Sequence, residues 1–354
     1  TPARESLTMT LTDRSARIRF LKSLLSPTLT ILGMIGVGIA LDIITNAYVQ
    51  FVILLMIANT VMATSLNLVS GFTGQFSLGH AGFMAVGAYV SAWLAMHPAL
   101  AGAPDLLKYL LLPIASGLAA AAAGYIVGLP SLRLRGDYLA IVTLGFGEII
   151  RVVILNSPAI GGARGLYGIP SAMPLEEIGL SAFSTQFAIS SAWCVITVFT
   201  LWRLVHSARG RAFLSVREDE IAAEAMGINV TQTKVRAFVI SSFFAGVGGA
   251  LFAHSVKYLN PATFTFTKSV DFIIMIVLGG MGSFSGSIIA AAVITILPEM
   301  VLRELQSITG VDLRMVIYSL LLILFMILRP SGILGTLEIP DLLKRFKRKA
   351  VQNG

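Results

Sequence analysis

Charge is scarce in this chain. Of 354 residues only 12% are Asp, Glu, Lys or Arg, about half the share (about 25%) of an average soluble domain. So few charged side chains cannot cover a water-facing surface, which excludes a soluble enzyme and a disordered chain. Cysteine is almost missing as well. The single Cys194 cannot form an internal disulfide, so a disulfide scaffold is excluded and the redox compartment is left open. There is no G-x-x-x-x-G-K-[ST] to cradle ATP phosphates, no G-x-S-x-G and no H-E-x-x-H, and the four His are scattered. No nucleophile–base set and no metal-ligand cluster is legible, so neither an intramembrane hydrolase nor a cofactor site is expected. Gly280-x-Gly282 lacks the third glycine of a dinucleotide loop and ends an apolar run.

Apolar residues are abundant: 56% of the chain, with a mean hydropathy of +0.84. This composition predicts an all-α, polytopic integral membrane protein. A helix needs about 20 mostly apolar residues to cross the hydrocarbon. Ten runs qualify or nearly do: 29–45, 49–69, 80–96, 109–129, 138–155, 187–205, 237–255, 270–280, 287–302 and 315–328. An alternative of eight full spans plus two re-entrant segments has the same parity. The first run follows a partly polar tail and shows no small-residue cleavage site, so it reads as a retained helix. The expected organisation is an N-terminal tail 1–28, a transmembrane region 29–329 and a basic C-terminal tail 330–354.

The net charge of +8 has a topological explanation that makes nucleic acid unnecessary. With the N-terminus on the cytoplasmic side, basic residues gather in the two tails, at Arg133 and Arg135, and in the 206–236 loop, which holds Arg203 (at its edge), Arg209, Arg211, Arg217, Lys234 and Arg236. The opposite segments hold only Lys108, Arg164, Lys257, Lys268, Arg303 and Arg314. Short cytoplasmic loops carry such an excess, so both termini are expected inside. The longest outer segment, 156–186, is rich in Gly, Pro and Ser and suits a cap facing a partner, or equally an ordinary loop.

Three features stand above this background. The first is acidic, on the basic side. Ser215–Asn229 is expected to hold one short helix, with Ile221, Ala222, Ala225, Met226 and Ile228 on an apolar stripe. Arg217, Glu218, Asp219, Glu220 and Glu224 accompany it, and Gly227 is a C-terminal stop. A helix lying on the membrane surface favours Lys and Arg on its polar face; an acidic one favours docking into a soluble partner. Second, Asn67–Tyr89 interrupts an apolar stretch with Gly71, Gly74, Gly79, Gly82 and Gly87, and with polar Thr73, Gln75, Ser77 and His80 between them. Two readings stand: close helix packing, or non-helical backbone lining a cavity. A lone His at a helix start reads as a satisfied hydrogen-bonder rather than a proton relay. Third, Glu148 and Arg151 share a helix face at i,i+3 and read as a clamp between adjacent helices or as a pathway element.

These segments carry a resemblance. Ala222-Ala223 followed by Gly227 resembles the Glu-Ala-Ala-x-x-x-Gly loop of bacterial ATP-binding-cassette importers, with Ile221 where that pattern has Glu. Asn67–Tyr89, Leu134–Arg151 and Val277–Ser287 resemble, in order, the membrane subunits of branched-chain amino-acid importers, the LivH/LivM group, the second segment in the manner of its LivM members. What the resemblance implies is a permease subunit for leucine, isoleucine and valine in the inner membrane. Its partners would be a second related permease, two ATP-binding subunits and a periplasmic binding protein. The chain would have no cofactor of its own, ATP being bound by the partners. The implied coupling helix comprises Arg217, Glu218, Asp219, Glu220, Ala222, Ala223, Glu224, Ala225 and Gly227; pathway candidates are Thr73, Gln75, Ser77, His80, Glu148 and Arg151. Urea or a short amide is the rival substrate, and an ion-coupled transporter is the rival class, with Glu148 its one acidic candidate.

Overall fold

The computed structural model describes residues 30–31, 33–98, 105–131, 134, 136–170, 181–302, 320, 323, 327–329, 331–335 and 337–338. The helices, in chain order, are α1 (Gly33–Ile44), α2 (Ala47–Asn67), α3 (His80–Met96), α4 (Asp105–Ser131), α5 (Asp137–Leu155) and α6 (Ala182–Val205). They continue with α7 (Ala208–Glu218), α8 (Glu220–Ala225), α9 (Val230–Val256), α10 (Phe266–Gly279) and α11 (Phe284–Ile296). π-Helical turns extend α2 over Leu68–Phe72 and α11 over Leu297–Leu302. Five stretches, carried by α2, α4, α5, α6 and α9, are long and apolar enough to cross a membrane, while α1, α3 and α11 are shorter apolar helices. The chain is an all-α multi-pass membrane protein. The tail 1–28 lies outside the described residues, as do nearly all of the tenth run, 315–328, and most of the tail 330–354.

Capping explains where several helices outrun their apolar core. α6 begins before the run 187–205 because the Ser181 hydroxyl accepts from the Ser184 amide at 3.1 Å. Likewise α9 begins before 237–255 because the Asn229 side chain accepts from the Gln232 amide at 2.9 Å. These side chains satisfy amides that a helix start leaves open.

α9 is the central helix, packed against α4, α3 and α2. Helix association in lipid gains little from hydrophobic burial and depends on close backbone approach through small residues. A Cβ on Gly87 of α3 would stand 2.2 Å from the Gly246 carbonyl oxygen of α9, and one on Gly246 would stand 2.5 Å from the Ala120 Cβ of α4. Met62, Phe83, Met84, Phe238 and Phe272 fill the core around this contact. α5 is the least covered of the five long helices; Tyr138, Ile141, Ile149, Val152 and Val153 face outward.

The two ends of the bundle are distinct. At one, the outer segments of the charge-derived topology meet: Leu166–Tyr167 (β1) pairs antiparallel with Tyr258–Leu259 (β2), and the Tyr167 and Tyr258 rings stack at 4.2 Å. The sequence carried no strand signal for so short a pairing. At the other end, segments 71–75, 206–229, 280–285 and 331–338 lie together.

Candidate functional site

Ser215–Asn229 is not the single helix expected from its apolar stripe. The chain breaks at Asp219, whose extended backbone ends α7 at Glu218, and whose carboxylate caps α8 by accepting from the Ile221 and Ala222 amides at 2.8 and 3.1 Å. Arg217 and Glu218 therefore belong to the last turn of α7, and Glu220–Ala225 form the separate α8. α8 ends as expected. Gly227 (φ +83°) donates to the Glu224 carbonyl and Ile228 to that of Ala223, the paired bonds of a Schellman cap.

Only Ala223 of α8 is buried; Ala222, Glu224 and Ala225 are exposed, and Ile221 and Met226 beside them are 69% and 83% exposed. Glu220 departs from the expected solvent-facing acids. It forms an ion pair with Lys234, whose side chain is 4% exposed in the first turns of α9. α8 is thus a short projection anchored on α9 by Ala223 and Glu220, with its remaining face open.

The glycine-rich segment is non-helical over 73–79, and two of the motif segments meet there. Between the π-turn Leu68–Phe72 and the start of α3 at His80 the chain is irregular, with Gly74 at φ +70°. Asn67, at the end of α2, donates to the Ser283 carbonyl and the Ser287 hydroxyl and accepts from the Gly282 amide, each at 2.9 Å. A Cβ on Gly71 would stand 2.5 Å from the Gly282 amide nitrogen, so the two glycine-rich stretches touch through backbone. Glu338 closes the turn from the other side. Its carboxylate accepts from the Phe284 amide at 2.7 Å and the Ser285 amide at 3.1 Å, capping α11.

Thr73 donates to the Val69 carbonyl at 2.7 Å, finishing the π-turn. Gln75 and Ser77 are 3% and 1% exposed, and their side-chain polar atoms have no hydrogen-bond partner among the described residues. A buried polar group left so costs about 1–3 kcal/mol, and orphaned groups concentrate where a ligand or a second state supplies the bond. His80 is buried, with Nε2 at 2.8 Å from the Ser65 hydroxyl.

α3 begins inside the bundle. The Leu78 amide donates to the Thr143 hydroxyl at 3.1 Å, and Thr143 lies roughly 9 Å along α5 from its start. One residue into α3, the Ala81 amide donates to the Ser269 hydroxyl of α10 at 3.0 Å. Two interrupted elements, 73–79 from one end and 257–265 from the other, therefore meet at the N-termini of α3 and α10. A crevice too narrow to admit a water molecule adjoins this junction, lined by Leu78, Gly82, Gly147, Glu148, Phe264 and Ser269 among others.

Glu148 and Arg151 are paired as expected from their spacing, at 2.6 Å, but the pair does not clamp adjacent helices. Both lie on α5 and bond each other, because three residues of helix bring the side chains onto one face. Their side chains are 33% and 24% exposed on the uncovered side of the bundle. The sequence reading assigned no role to Asn67, Lys234 and Glu338, whose bonds join residues far apart in the chain; periodicity offers no signal for such pairs.

Comparison with known proteins gives the family. A family model described as "Branched-chain amino acid transport system / permease component" matches residues 43–326. The high-affinity branched-chain amino acid transport system permease protein LivM of Salmonella typhimurium is 37% identical over 315 residues, covering 82% of this chain and 71% of that protein. LivM of Escherichia coli is 38% identical over 297 residues, covering 77% and 67%. LivH of Salmonella typhimurium is 23% identical over 288 residues, covering 78% and 91%. No solved structure matches. The chain belongs to the family of branched-chain amino-acid transport system permease components.

Proposed function

We infer that this chain is a permease subunit of an ATP-driven importer that moves leucine, isoleucine and valine across the inner membrane. Its relatives are permease proteins of such a system. The observation that carries the mechanistic part is α8: a capped projection whose apolar Ile221 and Met226 and acidic Glu224 stay open while Ala223 and Glu220 hold it to α9. The end bearing α7 and α8 faces the cytoplasm, because the Arg-rich 206–236 loop sits there, and both termini are inside. The reading has ten spans, α10 being one. Its 14 residues reach about 21 Å, short of the roughly 30 Å hydrocarbon, and a short interrupted span suits a transport pathway.

ATP is hydrolysed on two partner subunits, and their closure displaces α8. The bundle then alternates between outward- and inward-open states. A second related permease covers the open face of α5. The half-exposed Glu148–Arg151 pair supports this placement, since a charge pair facing lipid is unfavourable. A periplasmic binding protein delivers substrate at the β1–β2 end. Thr73, Gln75, Ser77 and His80 line or gate the pathway; the buried Gln75 and Ser77 side chains, unpartnered among the described residues, support this. Glu148 contributes from beside the α3–α10 junction, paired with Arg151.

The test is uptake by proteoliposomes holding this chain with its second permease, its ATP-binding subunits and the binding protein. ATP-dependent leucine uptake is expected. Uptake of urea or a short amide in its place, or leucine uptake by this chain alone under an ion gradient, would overturn the reading.

A further inference from the structure

Arg217 does something its place in the acidic segment did not suggest. It ends α7, and its Nη1 donates to the Gly71 carbonyl of the π-turn at 2.9 Å, across 146 positions of sequence. The rest of the guanidinium is held by Glu218, with Nη2 and Nε at 2.7 and 3.1 Å from its Oε1. Two glycines make room for this side chain. A Cβ on Gly74, which has φ +70°, would stand 3.0 Å from the Arg217 Cγ, and one on Gly282 would stand 3.1 Å from Nη1. The carbonyl it grasps belongs to Gly71, which itself touches the Gly282 amide. One side chain therefore bridges the end of α7, the interrupted chain 71–75 that leads to Gln75, Ser77 and the start of α3, and the α10–α11 turn.

We propose that Arg217 is a positioning residue that passes displacement of α7–α8 to the π-turn and the non-helical segment 73–79 that follows it. The proposal rests on the reading that α7–α8 meet the ATP-binding subunits, but it concerns contacts inside this chain. A planar, permanently charged fork suits the task, because it keeps a carbonyl and a carboxylate in fixed relation. A helix-terminal cation serving only the helix dipole would not need the space that Gly74 and Gly282 leave. Glu220 and Lys234 hold α8 to α9, and Phe213 of α7 shares an apolar cluster with Leu68 and Phe72 of the π-turn; to that non-directional packing Arg217 adds a charge-assisted hydrogen bond on the Gly71 carbonyl.

The experiment uses the complete transporter in proteoliposomes, with ATP hydrolysis and leucine uptake measured together on Arg217→Gln, Arg217→Lys and Gly74→Ala. Leucine carried per ATP hydrolysed is expected to fall by about tenfold in Arg217→Gln, the loss of one charge-assisted hydrogen bond. Assembly and ATP hydrolysis should persist. Gly74→Ala, which leaves the arginine in place but crowds its stem, is expected to show the same uncoupling, and Arg217→Lys to recover part of the ratio.

An unchanged ratio in Arg217→Gln overturns the proposal. So does failure of all three variants to assemble, which would make the contact purely structural. Loss of the ATP-binding subunits from Arg217→Gln alone would place the residue on the docking surface, contradicting the proposal while sparing the reading beneath it. If the wild-type complex shows no ATP-driven uptake, that reading fails instead.

Discussion

Asn67 shows how much a single polar residue holds here. Its amide satisfies three partners on the α10–α11 turn and α11, and it is fully buried. Asn67→Ala would leave the Gly282 amide without its acceptor, so the complex should lose about 1–3 kcal/mol of stability, read as a lowered melting temperature in detergent. Asn67→Asp should be comparably harmful, since a carboxylate cannot donate to the Ser283 carbonyl. The residues most exposed to chemistry were legible in sequence: Glu148 and Arg151 by spacing, and Gln75, Ser77 and His80 by being polar in an apolar stretch. The partner of His80 was not. It is Ser65 of α2, and which helices stand side by side is decided only by tertiary packing. For Glu148 and Arg151 the charge swap discriminates. If the two only neutralise each other, exchanging them should retain leucine uptake at normal expression; loss of uptake would assign Glu148 to the pathway.

At the scale of elements, apolar length predicted the long helices well, because a run that must cross hydrocarbon leaves few alternatives. It failed at Asp219, where one carboxylate ends the use of α7 and starts α8. Periodicity registers an apolar stripe and is blind to a cap that interrupts it. Asp219→Ala should fray α8 by about 1 kcal/mol, whereas Asp219→Asn, which can cap as well, should preserve it. Measured as leucine carried per ATP hydrolysed, the first variant should fall below wild type and the second should match it. Glu224→Lys tests the exposed face of the same helix: transport should uncouple from ATP hydrolysis while the complex still assembles. Loss of the folded complex would show Glu224 to be structural.

For the whole molecule, scarcity of charge already dictated a membrane protein, and the placement of the few charges dictated which loops share a side. The coordinates agree with that parity: 166–167 meets 258–259 at one end, and 71–75 meets 217 and 282 at the other. What composition could not express is that the chain interrupts itself twice, at 73–79 and 257–265, so that α3 and α10 begin against each other inside the bundle. That interior junction, the buried Gln75 and Ser77 on the way to it and the projection of α8 are the features on which the proposed coupling to ATP hydrolysis rests. The most direct test of this account is leucine uptake by the reconstituted wild-type complex with and without hydrolysable ATP. Uptake that requires ATP, the binding protein and all the partner subunits is the expected result. Uptake by this chain alone, driven by an ion gradient with no ATP-binding subunit present, would contradict it.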